Sequence, residues 1–302
     1  MPHLVNPPPH VYAGADLDRA AKHRLDAAWL AARRADPSTR VLLMSKLELM
    51  VADPGEPPCA MLPTIAELGR PLPEDALFLG TDAGSCLFAA ELEIVPQGGR
   101  YVELRSVGAT LSAREAGLCA YARGLAFWHA RNRFCGVCGA PTQSEQGGHL
   151  RRCTGCDAQH FPRSDPAVIV LVTHRDPKRG ERGLLGRSAR FPPGLYSTLA
   201  GFVEPGESLE ATVRREVREE AGLELFAIEY RSSQPWPFPA SLMLGFRARA
   251  LRDELAIDPD ELVDAGWFTK AELLDPKRRP VKLPNPDSIA RHLIEEWLGE
   301  YA

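Results

Sequence analysis

Three glutamates in the second half of the chain have a spacing that suits metal chemistry. Glu216, Glu219 and Glu220 lie in the segment GFVEPGESLEATVRREVREEAGL, residues 201–223. A helix is predicted there, from an N-cap at Ser208 to Gly222, the residue type that commonly follows the last helical turn. Positions i, i+3 and i+4 share one helix face, and a hard divalent cation such as Mg²⁺ or Mn²⁺ would offset the repulsion between their carboxylates. A solvated acidic helix face is the alternative that this spacing leaves open.

Four cysteines earlier in the chain form two C-x2-C pairs, the pattern of a structural metal site. They are Cys135 and Cys138 in FCGVCG, then Cys153 and Cys156 in RCTGC. Four thiolates would complete a closed tetrahedral Zn²⁺ site with no position left for a reacting water, so the zinc is predicted to be structural. A rubredoxin-like iron site and unrelated buried or redox cysteines are the alternatives.

The residues that frame the three glutamates carry a longer pattern. From Gly201 the chain reads G-x5-E-x7-R-E-U-x-E-E-x-G-U, where U is the aliphatic Val217 or Leu223. This matches every fixed position of the Nudix signature, so the segment resembles the Nudix hydrolases. The resemblance implies an α/β/α sandwich and metal-dependent hydrolysis of a diphosphate linked to a nucleoside.

The same resemblance implies roles for single residues. Glu216, Glu219 and Glu220 would hold the catalytic metal and orient or deprotonate the attacking water. Arg215 and Glu207 would hold these glutamates in place. Further metal contacts would come from the backbone carbonyl of Ala200 and from Glu261 in DELVDAGWF.

A proline-rich stretch, SQPWPFPAS at residues 233–241, follows the glutamates. Composition alone would favour a polyproline II linker or a partner ligand. The stretch nevertheless lies between two predicted strands, at residues 226–230 and 242–248, where a flexible linker is not expected. Its prolines would instead stiffen a loop and hold its aromatic groups in place.

This stretch is similar to the SQPWPFPxS array of the NADH pyrophosphatases, a Nudix family that also removes NAD caps from RNA. The four-cysteine module and the segment FPRSDPAVI fit the same family, and the resemblance covers residues 112–302. One departure is Phe161, where the family often has tyrosine. The resemblance implies homodimers and these substrate contacts: Phe161, Phe202, Gln234, Pro235, Trp236, Pro237, Phe238, Pro239, Ala240, Ser241 and Ala290.

Other elements must position these groups. Apolar periodicity predicts a helix over residues 16–34, and strand-like runs follow at residues 41–44, 76–79 and 86–92. The capping box of Ser112 and Glu115 predicts a connecting helix to about Arg131, whose His129 is expected to be packed and hydrogen-bonded. The β-branched run at residues 167–172 predicts a buried strand, and residues 288–298 a closing amphipathic helix.

Composition restricts the class of protein. The chain has 302 residues, 44% of them hydrophobic, and a net charge of −4, which argues against a protein that coats nucleic acid. Residues 1–10 lack the pattern of a signal peptide, and no run approaches the ~20 apolar residues that span a bilayer. A cytoplasmic location without membrane association is expected, with the zinc module accounting for four of the seven cysteines.

The predicted architecture has three parts. They are an α+β N-terminal domain with its connecting helix at residues 1–130, a zinc-ribbon-like module at 131–161 and a Nudix α/β/α sandwich at 162–302. The predicted function is hydrolysis of the diphosphate of NAD(H) to NMN(H) and AMP, with removal of NAD caps from RNA to leave 5′-monophosphate RNA. The alternatives are a Nudix pyrophosphatase for another nucleotide such as ADP-ribose, and a non-catalytic NAD-sensing or nucleic-acid-binding regulator.

Overall fold

A computed structural model describes residues 10–52, 57–92 and 94–299. The chain divides into two compact units, of which the first contains Met1–Ser164 with Pro235–Ala240 and the second Asp165–Gln234 with Ser241–Ala302. No helix among the described residues is long and apolar enough to cross a membrane. The N-terminal residues used above to judge a signal peptide lie, apart from His10, outside the described part of the chain.

The first unit is built on a five-stranded sheet of order β3-β4-β1-β2-β5. Its strands are β1 Arg40–Ser45, β2 Glu48–Ala52, β3 Leu77–Asp82, β4 Ser85–Glu91 and β5 Gly99–Val102. The three strand-like runs of the sequence are therefore confirmed as β1, β3 and β4, although Ala76 and Leu92 lie just outside β3 and β4. The helices are α1 Ala27–Ala35, α2 Ile65–Leu68, α3 Leu104–Val107 and α4 Ala113–Arg131. One apolar cluster packs on each face of the sheet, as expected for the predicted α+β domain.

The connecting helix is confirmed as α4, with its capping box of Ser112 and Glu115. The single helix predicted over residues 16–34 is wrong. Ala20 adopts a left-handed conformation, Ala21–Leu25 form a short 3-10 helix, and α1 starts only after Asp26. The Asp18 carboxylate accepts from the Ala20 amide and the Asp26 carboxylate from the Trp29 amide, so two side chains compete with a continuous helix.

The cysteine module lies in the first unit as a small three-stranded sheet. Its strands are β6 Thr142–Glu145, β7 Leu150–Cys153 and β8 Gln159–His160, with a 3-10 turn at Gln146–Gly148. His129 of α4 bonds the Gly148 carbonyl oxygen through Nε2 at 2.8 Å, and Arg151 lies 2.8 Å from its Nδ1. The packed, hydrogen-bonded role predicted for His129 is confirmed.

The second unit is an α/β/α sandwich, as the resemblance implied. Its sheet has the order β12-β13-β9-β10-β14, with β11 paired to β9. The strands are β9 Asp165–Asp176, β10 Gly180–Arg187, β11 Leu199–Phe202, β12 Leu225–Trp236, β13 Ser241–Ala250 and β14 Asp264–Thr269. The helices are α5 Leu209–Ala221, α6 Lys270–Leu274 and α7 Ile289–Leu298. Separate apolar clusters place α5 against one face of the sheet and α7 against the other.

The proline-rich stretch is not purely the loop that the sequence suggested. Strand β12 continues through Ser233 and Gln234 to Trp236, and only residues 237–240 form the turn into β13. A proline inside a strand removes one ladder donor, which an edge strand tolerates. Since β12 is the outermost strand of the sheet, Pro235 can lie within it.

Candidate active site

The helix that carries the three glutamates has the ends predicted from its sequence. The Ser208 hydroxyl accepts from the Ala211 amide at 3.2 Å, and α5 spans Leu209–Ala221. Gly222 follows in the left-handed conformation, with φ +70°. A Cβ at this position would lie 2.6 Å from Cβ of Ala256, so glycine is needed for the close approach as well as for the turn.

Strand β11 passes directly beside the glutamate face of α5. At Gly201 a Cβ atom would lie 1.8 Å from Cδ of Glu216, so the Glu216 carboxylate occupies the space that a side chain there would fill. Gly201 is itself held in register opposite Val168 of β9. The first glycine of the signature therefore fixes where one carboxylate lies.

Arg215 ties the signature residues together. Its Nε and one terminal nitrogen donate to the two oxygens of Glu207 at 2.7 and 2.8 Å. The other terminal nitrogen donates to Glu216 at 2.8 Å and to Glu219 at 3.1 Å. A fifth bond reaches the Phe202 carbonyl oxygen at 2.9 Å, so one guanidinium joins α5 to β11 and to the loop before the helix.

Glu207 is held by more than this ion pair. It also accepts from the Glu204 amide at 3.1 Å and from the Thr212 hydroxyl at 2.8 Å. The hydrogen bonds from Arg215, followed by the Glu204 amide, lower the pKa of Glu207 to about 2. Glu207 therefore remains an anion that keeps Arg215 in position.

The three glutamates differ in exposure and in the tendency to ionise. The side chain of Glu216 is 14% exposed and that of Glu219 55%, whereas residue Glu220 is only 6% exposed. Burial, reinforced by the negative charges of Glu216 and Glu261, raises the pKa of Glu220 to about 8. Burial also raises the pKa of Glu216, although Arg215 opposes this shift.

Glu261 belongs to a segment that is bonded to the end of α5. The Asp258 amide donates to the Glu220 carbonyl oxygen at 3.2 Å, and the Glu261 amide donates to the Asp258 carbonyl oxygen at 3.2 Å. Glu261 is exposed and contributes to the raised pKa of both Glu216 and Glu220. Its predicted place beside the glutamates of α5 therefore agrees with the fold of this unit.

These carboxylates fit a hard divalent cation. Glu220 is buried among negative charges and makes no ion pair in the described part of the chain, so an unneutralised carboxylate there is costly. A divalent cation would supply the missing positive charge through oxygen ligands. Among described residues, only the four cysteines form a group whose possible ligand atoms all lie within 4.8 Å of one another. The glutamate oxygens are more widely spread, and Arg215 holds two of these side chains.

The four predicted cysteine ligands do converge. Sγ of Cys135 and Cys156 are 3.7 Å apart, and Sγ of Cys138 and Cys153 are 3.3 Å apart. Zn–S bonds of about 2.3 Å in a tetrahedron require sulfur separations of similar size. The amides of Cys156 and Gly155 donate to Cys153 and lower the pKa of its thiol, which favours the thiolate that binds metal.

The predicted substrate residues of the proline-rich stretch divide between the two units. Gln234 belongs to the second unit and is fully buried. Its amide donates to the carbonyl oxygen of Asp287, just before α7, at 2.6 Å and accepts from the amide of Ile289, the first residue of α7, at 2.7 Å. Gln234 therefore fixes the start of the helix that carries Ala290. Ser241, half-buried, begins β13 opposite Asp165.

Residues 235–240, which include the last two residues of β12, belong to the first unit, where their two aromatic rings are packed. Trp236 and Phe238 lie 5.1 Å apart, and each makes an edge contact with Tyr12, at 5.8 and 5.6 Å between ring centroids. The Arg105 guanidinium lies 5.9 Å from Trp236 and 5.6 Å from Phe238. These contacts hold the rings in fixed orientations.

Arg123 of α4 also contacts this segment and was not among the residues predicted from the sequence. Its residue exposure is 9%, it donates to the Pro237 carbonyl oxygen, and its guanidinium lies 5.1 Å from Phe238. The nearest carboxylate, Glu103, is 4.0 Å away, and burial lowers the pKa of Arg123. Its partner is 114 positions away in sequence, so no local pattern pointed to this contact.

The other predicted substrate residues differ in their exposure to solvent. Phe161, in the first unit, is 60% exposed, and Phe202, in the second, is 59% exposed. Exposed rings of this size can stack on a base or nicotinamide ring. Ala200 is an exposed residue of β11 paired with Ile169, whereas Ala290 is buried in the first turn of α7.

Comparison with known families accounts for most of the chain. Residues 38–128 match the NADH pyrophosphatase-like rudimentary NUDIX domain, residues 130–161 the NADH pyrophosphatase zinc ribbon domain, and residues 163–289 the NUDIX domain. The second of these matches contains all four cysteines, and the third contains the complete signature.

Curated proteins that resemble this chain cover it extensively. It is 35% identical to the NAD-capped RNA hydrolase NUDT12 of Macaca fascicularis, over 93% of this chain and 72% of that protein. It is 43% identical to the NAD-capped RNA hydrolase NudC of Stutzerimonas stutzeri, over 79% of each chain. Identity to NudC of Pseudomonas aeruginosa is 49%, over 59% of this chain and 60% of that one.

Proposed function

Because the chain belongs to the Nudix family of NADH pyrophosphatases and NAD-capped RNA hydrolases, we propose that it hydrolyses the diphosphate of NAD(H). The products would be NMN(H) and AMP, and on NAD-capped RNA the same cleavage would leave 5′-monophosphate RNA. The observation that carries the proposal is the arrangement in the second unit, where Arg215 joins Glu207, Glu216 and Glu219 beside the buried Glu220.

In this mechanism the chain's own residues hold the metal and the water. Glu216, Glu219, Glu220, Glu261 and the Ala200 carbonyl oxygen would bind Mg²⁺ or Mn²⁺. Such a cation neutralises the diphosphate and lowers the pKa of a bound water. Glu220 or a neighbouring carboxylate would accept the proton of the attacking water as a general base. Arg215 and Glu207 keep Glu216 and Glu219 directed to one side of α5.

The proline-rich stretch would recognise the dinucleotide. Trp236 and Phe238 are orientated by Tyr12 and Arg123 before substrate arrives, so little further ordering is required on binding. Phe161 and Phe202 offer additional exposed rings. Ser241 and Ala290, together with Gln234, would supply substrate contacts in the second unit.

We extend the proposal to assembly and location. The family resemblance favours a homodimer, which light scattering after size-exclusion chromatography would measure directly. None of the seven cysteines forms a disulfide, and four of them are the proposed zinc ligands, which suits a reducing compartment and supports a cytoplasmic location.

The proposed activity is tested with NADH, ADP-ribose and NAD-capped RNA in the presence of Mg²⁺ or Mn²⁺. We expect turnover of NADH and of capped RNA, and a fall of about 10²- to 10⁴-fold in kcat for Glu219→Gln and for Glu220→Gln. Glu210→Gln is the matched control, since Glu210 is an exposed residue of the first turn of α5. Preference for ADP-ribose would reassign the substrate, and turnover of none of the three would favour a regulator.

Trp236→Ala tests the role of the proline-rich stretch separately. Loss of a stacked aromatic group, worth about 1–3 kcal/mol, predicts a rise of about 5- to 150-fold in KM for NADH. Because Trp236 also packs against Tyr12 and Phe238, thermal unfolding must be measured in parallel. An unchanged KM would show that Trp236 does not contact the substrate. Recovery of the wild-type KM in Trp236→Phe would show that an aromatic ring suffices.

A further inference from the structure

A groove in the second unit has a strongly basic lining outside the catalytic residues. It has a volume of about 440 Å³ and is bordered by three cations, Arg279, Lys282 and Arg291. The remaining lining residues are Gly194, Pro276, Pro280, Val281 and Leu283, so no carboxylate of the described chain lines it. Sites of about 300–1,000 Å³ are large enough for a small-molecule-sized group.

The positive charge of this region is largely uncompensated. Arg291 pairs with Glu295 at 2.5 Å, whereas Lys282 is exposed and makes no ion pair in the described chain. Arg279 donates through Nε to the Leu273 carbonyl oxygen, and it too has no carboxylate partner there. Lys277 and Arg278 immediately precede Arg279. Clustered, unpaired cations repel one another, and an anionic ligand would relieve that repulsion.

The backbone holds these cations firmly. The amides of Arg278 and Arg279 donate to the Asp275 carbonyl oxygen at 3.1 and 3.0 Å. The Lys282 amide donates to the Gly194 carbonyl oxygen at 2.7 Å, and the Lys282 carbonyl oxygen accepts from the Tyr196 amide at 2.9 Å. The groove is therefore part of the folded unit rather than a loose basic tail.

Two chain connections lead from the groove to the candidate active site within the same unit. Residues 194–196, which bond Lys282, run on into β11, where Ala200 and Gly201 face the glutamates of α5. Arg291 directly follows Ala290, at the helix start that Gln234 fixes. Val281 and Leu283 of the groove pack with α7, so the groove lies on the α7 side of the sheet, and a polyanion extending from the catalytic site would reach it past the start of that helix.

We propose that this groove binds the sugar-phosphate backbone of the RNA that follows an NAD cap. The inference rests on the proposed function, because free NAD(H) has no phosphodiester chain beyond its diphosphate and would not need the groove. The chain carries a net charge of −4, so its overall field disfavours RNA. A local cationic surface supplies the attraction that the whole molecule does not.

The experiment measures kcat/KM for NADH and for a single-stranded NAD-capped RNA, together with binding of the same RNA bearing a 5′-monophosphate. The test variants are Lys282→Gln and the double variant Arg279→Gln/Lys282→Gln. At ~0.1 M salt, each phosphate contact to a single strand contributes about fivefold to affinity, so the double variant should lose about 25-fold. The slope of log affinity against log salt concentration should become shallower by about 0.7 per lost contact.

The matched control is Lys178→Gln/Arg179→Gln, which makes the same charge change in the exposed turn between β9 and β10. We expect this control to retain RNA binding and the groove variants to retain their kcat/KM for NADH. Unchanged RNA binding in the double variant would overturn the proposal. An equal loss with NADH and RNA would also overturn it, since the groove would then serve the dinucleotide.

Failure of the proposed function gives a different result. Wild-type protein would then hydrolyse neither substrate, yet binding of the monophosphate RNA would still report on the groove. Competition by inorganic phosphate alone, without an effect of RNA length on affinity, would assign the groove to a single phosphate group and contradict the RNA path.

Discussion

Replacement of Gly201 with alanine should displace a catalytic carboxylate without disturbing the fold. The new Cβ would lie 1.8 Å from Cδ of Glu216 and 1.9 and 2.2 Å from its two oxygens. Ordinary contacts begin at 3.4 Å, so the carboxylate must move by about 1.6 Å, the difference between the two distances. Because the obstructing atoms are the end of a flexible side chain, we expect the Glu216 side chain to move and β11 to stay in place.

The displacement should affect chemistry far more than stability. It breaks the 2.8 Å hydrogen bond from Arg215 to Glu216. It also moves a proposed metal ligand by more than the usual variation in the length of a metal–ligand bond. A misplacement of about 1 Å in a catalytic constellation can cost 10²-fold, so we expect kcat for NADH to fall by about 10²-fold or more. The pairing of Gly201 with Val168 uses backbone atoms only and should persist.

The assay combines steady-state hydrolysis of NADH, a titration of Mg²⁺ or Mn²⁺ and thermal unfolding. Gly124→Ala is the matched control, since Gly124 lies in α4 and a Cβ there meets nothing within 4 Å. That control should retain activity and gain about 0.5–1 kcal/mol of stability. If Gly201→Ala kept wild-type kcat and metal dependence, the geometric argument for Glu216 would be refuted.

Three further predictions concern the first unit. Cys153→Ser should lower bound zinc from about one ion per chain to near zero by elemental analysis and destabilise the module, whereas the exposed Cys59→Ser should not. Burial lowers the pKa of His149 from 6.5 to about 4. The free energy of unfolding should therefore be highest above pH 6.5 and should fall as the pH falls towards 4, because the unfolded state binds the proton more readily. That loss is at most about 3 kcal/mol, and urea unfolding of His149→Gln should show a flatter profile between these pH values. Arg123→Met would leave the Pro237 carbonyl unpaired at a cost of about 1–3 kcal/mol, which calorimetry would detect, with partial recovery in Arg123→Lys.

Local signals made the catalytic helix predictable. Ser208, Gly222 and the spacing of the glutamates all act within a few residues, and the structure has α5 between those two caps. The capping box of Ser112 and Glu115 predicted the start of α4 correctly for the same reason. The predicted helix over residues 16–34 failed where Asp18 and Asp26 bonded nearby amides, since apolar periodicity does not register competing side-chain acceptors.

Partners distant in sequence were not predictable in this way. The proline-rich stretch was correctly placed between strands, but its first residues continue β12, because an edge strand can accept Pro235. No pattern around Arg123 pointed to Pro237, and none around Gln234 pointed to the start of α7. These contacts depend on which elements the fold brings together. That arrangement is determined by the whole chain and not by the residues next to each contact.

The difference between the three glutamates shows what helical spacing leaves undetermined. Positions i, i+3 and i+4 place Glu216, Glu219 and Glu220 on one face, yet Glu220 is 6% exposed while the side chain of Glu219 is 55% exposed. Neighbouring segments create that difference, since β11 presses on Glu216 at Gly201 and the residues before Glu261 bond the end of α5. Arg215 then neutralises the two outer carboxylates and leaves the buried one without a cation. Burial, together with the negative charges of Glu216 and Glu261, raises the pKa of Glu220, and a divalent cation bound there would offset both effects.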